Sequence, residues 1–259
     1  MIATPLEAVL QRDRIVVASA LAGLVIVSWI YVIWLASEMD MGAADMGMMS
    51  ASFMPWSISD FLIMFIMWAV MMVGMMTPSA APMILIYARV GRRAVEQGKP
   101  FASTGWFASG YLLTWTGFSL FATLTQWALE RAALVTPMMT SASPIFGGLI
   151  LIIAGIYQWS PLKEACLSFC QTPIVFIQRH GGFRRDARGA LELGVKHGAY
   201  CVGCCWVLMA LLFVGGVMNV LWIAGLTFFV LAEKLLPGGR ILSRATGVVL
   251  ACFGIWMLI

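Results

Sequence analysis

Charged residues are scarce in this sequence, and histidine is scarcer still. Asp, Glu, Lys and Arg make up 11% of the 259 residues, whereas soluble domains carry about 25%, and there are only two histidines. Hydrophobic residues make up 61%, which is more than a soluble core of this size can bury. The composition excludes an ordinary soluble domain and predicts an all-α bundle of membrane-spanning helices.

The sequence also lacks the residue patterns of several chemistries. There is no Gly-Lys-Ser/Thr loop, which excludes a P-loop nucleotide hydrolase. No carboxylate lies in the middle of an apolar run, which disfavours a proton-coupled transporter. Neither His180 nor His197 lies at the centre of such a run, which disfavours a bis-His haem. No Ser/His/Asp or paired-carboxylate pattern is evident, so a role other than catalysis is favoured, with thiol redox chemistry left open.

The apolar runs predict about seven membrane spans, with six as the alternative. A helix needs roughly 20 apolar residues to cross the hydrocarbon. No stretch is long and polar enough for a soluble domain, so residues 1–259 are predicted to form a single membrane domain. The predicted spans lie near residues 15–35, 60–86, 104–128, 144–159, 198–214, 217–236 and 243–259.

The positive charges alternate between the predicted loops. Lys and Arg are concentrated before the first span, after the second, in the 160–197 loop and around the turn between the last two spans. Cytoplasmic loops are enriched in these residues. The pattern predicts a multi-pass protein of the bacterial inner membrane, with its N-terminus inside and its C-terminus outside. Membrane orientation explains the basic loops, so no nucleic-acid partner is expected.

Methionine is concentrated early in the chain. Twelve of the 19 methionines lie between Met39 and Met76, and a Met-rich outer loop is predicted at 36–59. Thioethers are soft ligands that select Cu(I), although Met is also an adaptable packing residue. The loop methionines proposed as ligands are Met39, Met41, Met46, Met48 and Met49.

The second predicted span continues the methionine pattern. Residues three, four and seven apart share a helix face, which places Met64, Met67, Met71 and Met75 in one row with Met72 and Met76 beside it. The row is interpreted either as a thioether path inward or as helix packing; the ligand candidates are Met71, Met72, Met75 and Met76. Pro78 and Pro82 follow, and they are expected to kink or break the helix.

Five of the six cysteines fall in two groups. Ser160 and Pro161 predict the start of a short helix on which Cys166 and Cys170 face the same way, and Pro173 should end it. His197, Cys201, Cys204 and Cys205 would form one row on a second helix. Thiols stay reduced on the cytoplasmic side, so these residues predict a site for Cu(I), with Zn(II) as the alternative. Burial as small apolar residues is the competing interpretation.

Polar residues also occur near the ends of the sixth span. Met218 and Asn219 open it, and Asn219 is expected to bond to a neighbouring helix. Glu233 and Lys234 close it, and they are interpreted as side chains that reach the membrane interface.

Several strings together resemble a bacterial integral-membrane family described as predicted metal-binding and of unknown function (domain of unknown function 2182). The strings are Met-Met-x-x-Met-Met-x-Pro at 71–78 with Pro82, Tyr-Gln-x-x-Pro-Leu-Lys through Cys-x-x-x-Cys at 157–170, Tyr-Cys-x-Gly-Cys-Cys-Trp at 200–206, Gly-x-Met-Asn-x-x-Trp at 216–222, and Glu-Lys at 233–234. The resemblance covers roughly 60–250. It implies a membrane helical bundle and a metal site at the matching Cys, Met and Asn positions, Met218 and Asn219 included. The Cys204-Cys205 pair is also similar to the thiol pair of mercuric-ion transport proteins.

These observations predict a membrane protein that binds a soft metal ion, most simply Cu(I), and relays or transports it. An accessory or assembly subunit of a larger membrane metalloenzyme complex and a metal-free interaction scaffold are the alternatives. The expected partners are the lipid bilayer, the metal ion and, in the accessory case, that complex.

Overall fold

A computed structural model describes residues 5–46, 56–136 and 139–259, with side chains described for 15–39, 56–136 and 139–259. This part of the chain is helical, without strands apart from an isolated bridge between Val135 and Ser141, which confirms the all-α fold. The helices are α1 (Pro5–Met46), α2 (Ile58–Glu96), α3 (Thr104–Arg131), α4 (Pro144–Tyr157), α5 (Pro161–Gln171), α6 (Pro173–Arg179), α7 (Ala187–Ala210), α8 (Leu212–Gly215), α9 (Val220–Leu235) and α10 (Gly239–Trp256).

The helices begin where side chains can accept from free backbone N–H groups. Ser57 and Asp60 form a reciprocal capping box at the start of α2, which satisfies two otherwise unpaired donors. Ser160 accepts from the Lys163 backbone N–H and Pro161 opens α5. Pro173 follows the end of α5 and opens α6. These local signals therefore position the Cys166–Cys170 helix.

The helix α2 does not break at its two prolines, where the sequence predicted a kink or a break. The helix runs through Pro78 and Pro82 to Glu96, and neighbouring hydroxyls bond the carbonyls around the prolines. Thr77 Oγ1 donates to the Val73 carbonyl at 2.6 Å, and both Ser79 Oγ and Tyr111 Oη donate to the Met76 carbonyl. These hydrogen bonds lie beside the prolines, whereas the carbonyls that Pro78 and Pro82 leave without a backbone donor are those of Gly74 and Pro78.

Glycines bring two pairs of helices into close contact. A Cβ at Gly110 of α3 would lie 2.1 Å from the Leu191 carbonyl oxygen, and one at Gly194 of α7 would lie 2.1 Å from the Phe107 carbonyl oxygen. Gly155 of α4 packs in the same way against the backbone of α10 at Gly247. Close backbone approach through small residues is typical of helices that pack within membranes. The α3–α7 contact fixes the position of the cysteine-bearing helix.

In the described part of the chain, three helices are long and apolar enough to span a membrane: Ile15–Met39 within α1, α2, and Ala187–Gly215, which covers α7 and α8. The pair α4 and α5, bent by 65° at the break between them, would add a fourth. The seven predicted spans are therefore not all found by length and composition. The spans at 104–128, 217–236 and 243–259 correspond to α3, α9 and α10, which are not among these helices.

Candidate metal site

Two helices bring the two cysteine groups together. Cys170 Sγ on α5 lies 4.0 Å from Cys204 Sγ on α7. The thiols of Cys204 and Cys205 each approach the Cys201 carbonyl, at 3.1 and 3.0 Å. The three α7 cysteines are almost fully buried and Cys170 is half-buried. Cysteines 34 positions apart in the sequence thus share one site.

A lysine ammonium contacts the central thiol of this group. Lys234 Nζ, from the last turn of α9, lies 2.9 Å from Cys201 Sγ and 3.2 Å from Ser79 Oγ of α2. Tyr111 Oη of α3 lies 3.1 Å from the same sulfur. Four helices therefore converge on Cys201. A buried ammonium without a carboxylate partner is expensive, and a thiolate at Cys201 would supply the missing negative charge.

The position of Glu233 and Lys234 corrects the interpretation that they reach the membrane interface. Their exposed fractions are 1% and 5%. Glu233 forms an ion pair with Lys163 of α5 at 2.9 Å, and both side chains are almost completely buried. Gln171 also donates to the Glu233 carbonyl oxygen at 2.8 Å. The polar contacts at the end of α9 therefore hold α5, and with it Cys170, against α7.

Cys166 and His197 lie beside the sulfur group. Cys166 packs against Gly203 of α7, where a Cβ would lie 2.8 Å from its sulfur. His197 lies one turn before Cys201 and is 3% exposed. Its ring is surrounded by Phe107, Tyr111 and Phe176, and its Nδ1 has no hydrogen-bond partner among the described residues.

The methionine candidates fall into three places. Met71, Met72, Met75 and Met76 are buried in the core, and Met64 and Met39 are partly buried. The side chains of Met41 and Met46, and all of Met48 and Met49, lie outside the described residues. Met218 is half-buried. Asn219 is exposed and caps α9 by accepting from the Trp222 backbone N–H. It lies roughly 20 Å along α9 from Lys234, so the structure does not bring the Met218–Asn219 pair together with the cysteines.

The described residues hold no group of three or more His, Cys, Asp or Glu side chains arranged to hold a metal ion. Two of the four thiols are instead turned toward the Cys201 carbonyl, and Lys234 contacts a third. The arrangement provides two sulfur atoms from different helices, Cys170 Sγ and Cys204 Sγ, as ligands for a metal ion, with further soft donors nearby. The tetrahedral four-ligand set of structural zinc sites is not present in this part of the chain.

A comparison with known protein families indicates which metal this chemistry concerns. The family model PpoB2, described as a copper chaperone, matches residues 65–257. The chain belongs to this family. The PpoB2 match includes all five clustered cysteines, the α2 methionines and Lys234, and it supports a copper-related function. It supports the metal-binding part of the resemblance found in the sequence and gives no support to zinc. No curated protein and no solved structure matches the chain.

Sequence reasoning missed the polar groups that surround the sulfurs. The adjacent Glu233 and Lys234 in an apolar helix were a usable signal, because buried charges in such helices are costly and usually functional. Tyr111 and Ser79 gave no signal, since hydroxyl residues are common in helices of this kind. Their role emerges only from the crossing of α2, α3, α7 and α9.

Proposed function

We propose that the protein is a membrane-embedded copper chaperone that binds Cu(I) between Cys170 and Cys204, with Cys201 and Cys205 as additional or exchanging ligands. The observation that carries the proposal is the 4.0 Å separation of the Cys170 and Cys204 sulfurs. Metal–thiolate bonds are about 2.3 Å long, so two sulfurs on one ion lie no more than about 4.6 Å apart. The family description, copper chaperone, agrees with a soft donor set.

Lys234 supplies the charge balance for this site. Two thiolates and one Cu(I) carry a net charge of −1, which is unfavourable in a buried site unless a cation is close. Lys234 Nζ is already placed at Cys201 Sγ. The ammonium would remain beside the anionic complex while the thiols of Cys204 and Cys205 turn from the Cys201 carbonyl toward the ion.

The arrangement of apolar side chains supports seven membrane spans. The outward faces of α3, α9 and α10 carry large exposed apolar residues, whereas the interior holds Ser119, Thr123, Gln126, Glu233 and Lys234. These interior polar residues lower the overall hydropathy of α3, although its outer surface is apolar, whereas α9 is apolar but only 16 residues long. A bundle with a lipid-facing apolar surface and a polar interior is expected in a membrane. The exposed residues include Leu113, Phe121, Leu124, Leu221, Phe228, Val248, Val249 and Phe253.

The methionine row of α2 would connect the Met-rich 36–59 segment with the cysteines. Met76 lies beside this row, and its backbone carbonyl accepts from the Tyr111 hydroxyl that also contacts Cys201 Sγ. This end of the row would therefore lie near the sulfur group. Weak thioether ligands along a path would let Cu(I) move by exchange to the stronger thiolates, which is the relay that we propose.

The test is anaerobic Cu(I) titration of the detergent-purified protein against a colorimetric Cu(I) chelator. Wild-type protein should retain about one tightly bound ion, and Cys170→Ser and Cys204→Ser should each lower the affinity by at least about a hundredfold, or about 2.7 kcal/mol. Cys252→Ser removes an exposed thiol far from the group and should bind as the wild type does. Unchanged affinity in Cys170→Ser and in Cys204→Ser would mean that these cysteines only pack, and it would favour a metal-free scaffold.

A further inference from the structure

A second polar group lies at the opposite end of α3 from Tyr111. Gln126 is fully buried, and its Nε2 donates to Glu130 Oε1 at 2.9 Å while its Oε1 accepts from Trp68 Nε1 at 2.7 Å. Trp56 Nε1 donates to the other Glu130 oxygen at 2.8 Å. Met64 Sδ lies 3.9 Å from the same Gln126 nitrogen. A carboxylate and a thioether therefore face each other across one amide group.

The charge of Glu130 is not balanced by a cation among the described residues. No ion pair includes Glu130, and the neighbouring Arg131 places its guanidinium over the Trp127 ring instead. Residues 40–55 contain no Lys or Arg. A half-buried carboxylate held only by neutral N–H donors attracts cations, because nothing nearby neutralises it.

Buried polar residues continue from Glu130 along one face of α3. Gln126, Thr123, Ser119 and Trp115 are all buried, and this face reaches Tyr111 at the cysteines. The buried methionines of α2 lie on the helix that packs against it. Glu130 and Tyr111 are about 28 Å apart along α3, close to the roughly 30 Å thickness of the hydrocarbon core. The two polar ends would therefore lie near opposite membrane surfaces.

We infer that Glu130, Gln126 and Met64 form an outer site that receives the copper ion before it reaches the cysteines. This inference rests on the proposed copper function. The amide N–H of Gln126 occupies the place between the carboxylate and the thioether that a cation would take, and rotation of this side chain would free both acceptors. Glu130 supplies the charge that attracts the ion, and Met64 supplies the preference for a soft one. Trp56 belongs to the Met-rich 36–59 segment and so connects that segment to the site.

The first test measures how fast Cu(I) passes from a weak chelate to the detergent-purified protein under anaerobic conditions. Glu130→Gln keeps an acceptor for Trp56, and Met64→Leu keeps the volume of the side chain. Each should slow loading by about tenfold or more, since charge and ligand at an entrance act on association rates, without changing the final affinity of the cysteine site. Glu192→Gln removes an exposed carboxylate and should load at the wild-type rate. Wild-type loading rates in both variants would overturn the outer site.

The second test separates the outer site from the cysteine site. In the Cys170→Ser/Cys204→Ser protein, the outer site should still hold one weakly bound Cu(I), and adding Glu130→Gln should abolish it. If the cysteine replacements leave tight binding intact, the proposed cysteine site fails, and loss of one weak ion with Glu130→Gln still supports the outer site. If Glu130→Gln changes the number of bound ions in neither background, the Gln126 network is structural and the inference is wrong. Thermal unfolding of each variant checks that it is folded.

Discussion

At the scale of single residues, Lys234 distinguishes this sulfur group from a set of buried thiols. Cysteine alone packs as a small apolar residue, and four close cysteines would be compatible with that role. A fully buried ammonium 2.9 Å from one sulfur is not needed for packing, and it requires a negative charge nearby. The lysine is therefore the best single indicator that a thiolate forms here.

Replacing Lys234 with Met should weaken copper binding while keeping the volume of the side chain. Loss of a charge-assisted contact costs about 1.5–3 kcal/mol, so the Cu(I) dissociation constant should rise by about tenfold or more in a chelator competition. Lys196→Met, which removes an exposed lysine paired only with Glu192, is the matched control. Equal affinities for the two variants would exclude charge balance by Lys234.

The buried pair of Lys163 and Glu233 should matter for stability rather than for copper. Glu233→Gln leaves the Lys163 ammonium buried without a counter-charge, and we expect the free energy of unfolding in detergent to fall by about 3–5 kcal/mol. Replacing both partners with Met and Leu should recover most of that loss. Glu192→Gln, at an exposed pair, should leave the free energy of unfolding almost unchanged. An equally small change at Glu233 would show that the pair is not buried as the structure has it.

Residue spacing predicted which thiols share a helix face, but not which helices meet. The i, i+4, i+7 and i+8 spacing placed His197 with the α7 cysteines, and the Ser160–Pro161 start placed Cys166 and Cys170 on α5. The contact between Cys170 and Cys204 depends on the crossing of α5 and α7, which no local pattern encodes. Glu233 and Lys234 were misinterpreted for the same reason, because their partners Lys163, Cys201 and Ser79 are all distant in the sequence.

At the scale of helices, the α3–α7 contact is set by glycines that allow the two backbones to approach. The same helix α3 offers an internal comparison. Gly110 faces the Leu191 carbonyl, whereas a Cβ at Gly117 would meet nothing within 4 Å. The two positions therefore separate the effect of close packing from the general effect of glycine in a helix.

Gly110→Ala should force α3 away from α7 and lower the free energy of unfolding by about 1–3 kcal/mol, as at other overpacked sites. It should also weaken copper binding, because Tyr111 and Cys201 would move apart. Gly117→Ala should be neutral or stabilising by up to about 1 kcal/mol. Thermal unfolding and Cu(I) titration of both variants provide the measurement. Equal stability of the two would contradict the packing described for α3 and α7.

The helix α2 shows where sequence rules on proline fall short. Pro78 and Pro82 each remove a backbone donor, and a break was the expectation for an isolated helix. The helix continues within the bundle, where Thr77, Ser79 and Tyr111 bond carbonyls beside the prolines, and Tyr111 comes from another helix. The same hydroxyl contacts Cys201, so the proline-containing segment of α2 lies next to the sulfur group.

At the scale of the whole molecule, the proposed topology predicts which loops face the cytoplasm. Reporter fusions after residue 99 and after residue 185 should be cytoplasmic, whereas fusions after residue 133 and after the C-terminus should be external, because the basic loops remain inside. Activity of compartment-specific reporters gives the measurement. A cytoplasmic signal from the 133 fusion would reject seven spans with the N-terminus inside.

Composition predicted the all-α class because no soluble core could bury so many apolar residues. The number of spans was harder to predict, since hydropathy averages over both faces of a helix. In α3 the buried face carries Ser119, Thr123 and Gln126 while Leu113 and Phe121 point outward. The average hydropathy of α3 therefore hides an apolar surface suited to lipid, and only the packing of the helices shows which face is buried and which is exposed.

The most direct test of the central claim is X-ray absorption at the copper K edge of the Cu(I)-loaded protein. We predict a site with only sulfur ligands, and loss of that signal in the Cys170→Ser/Cys204→Ser protein at equal copper loading. A spectrum dominated by nitrogen or oxygen ligands, or one unchanged by the two replacements, would contradict a copper site shared between α5 and α7.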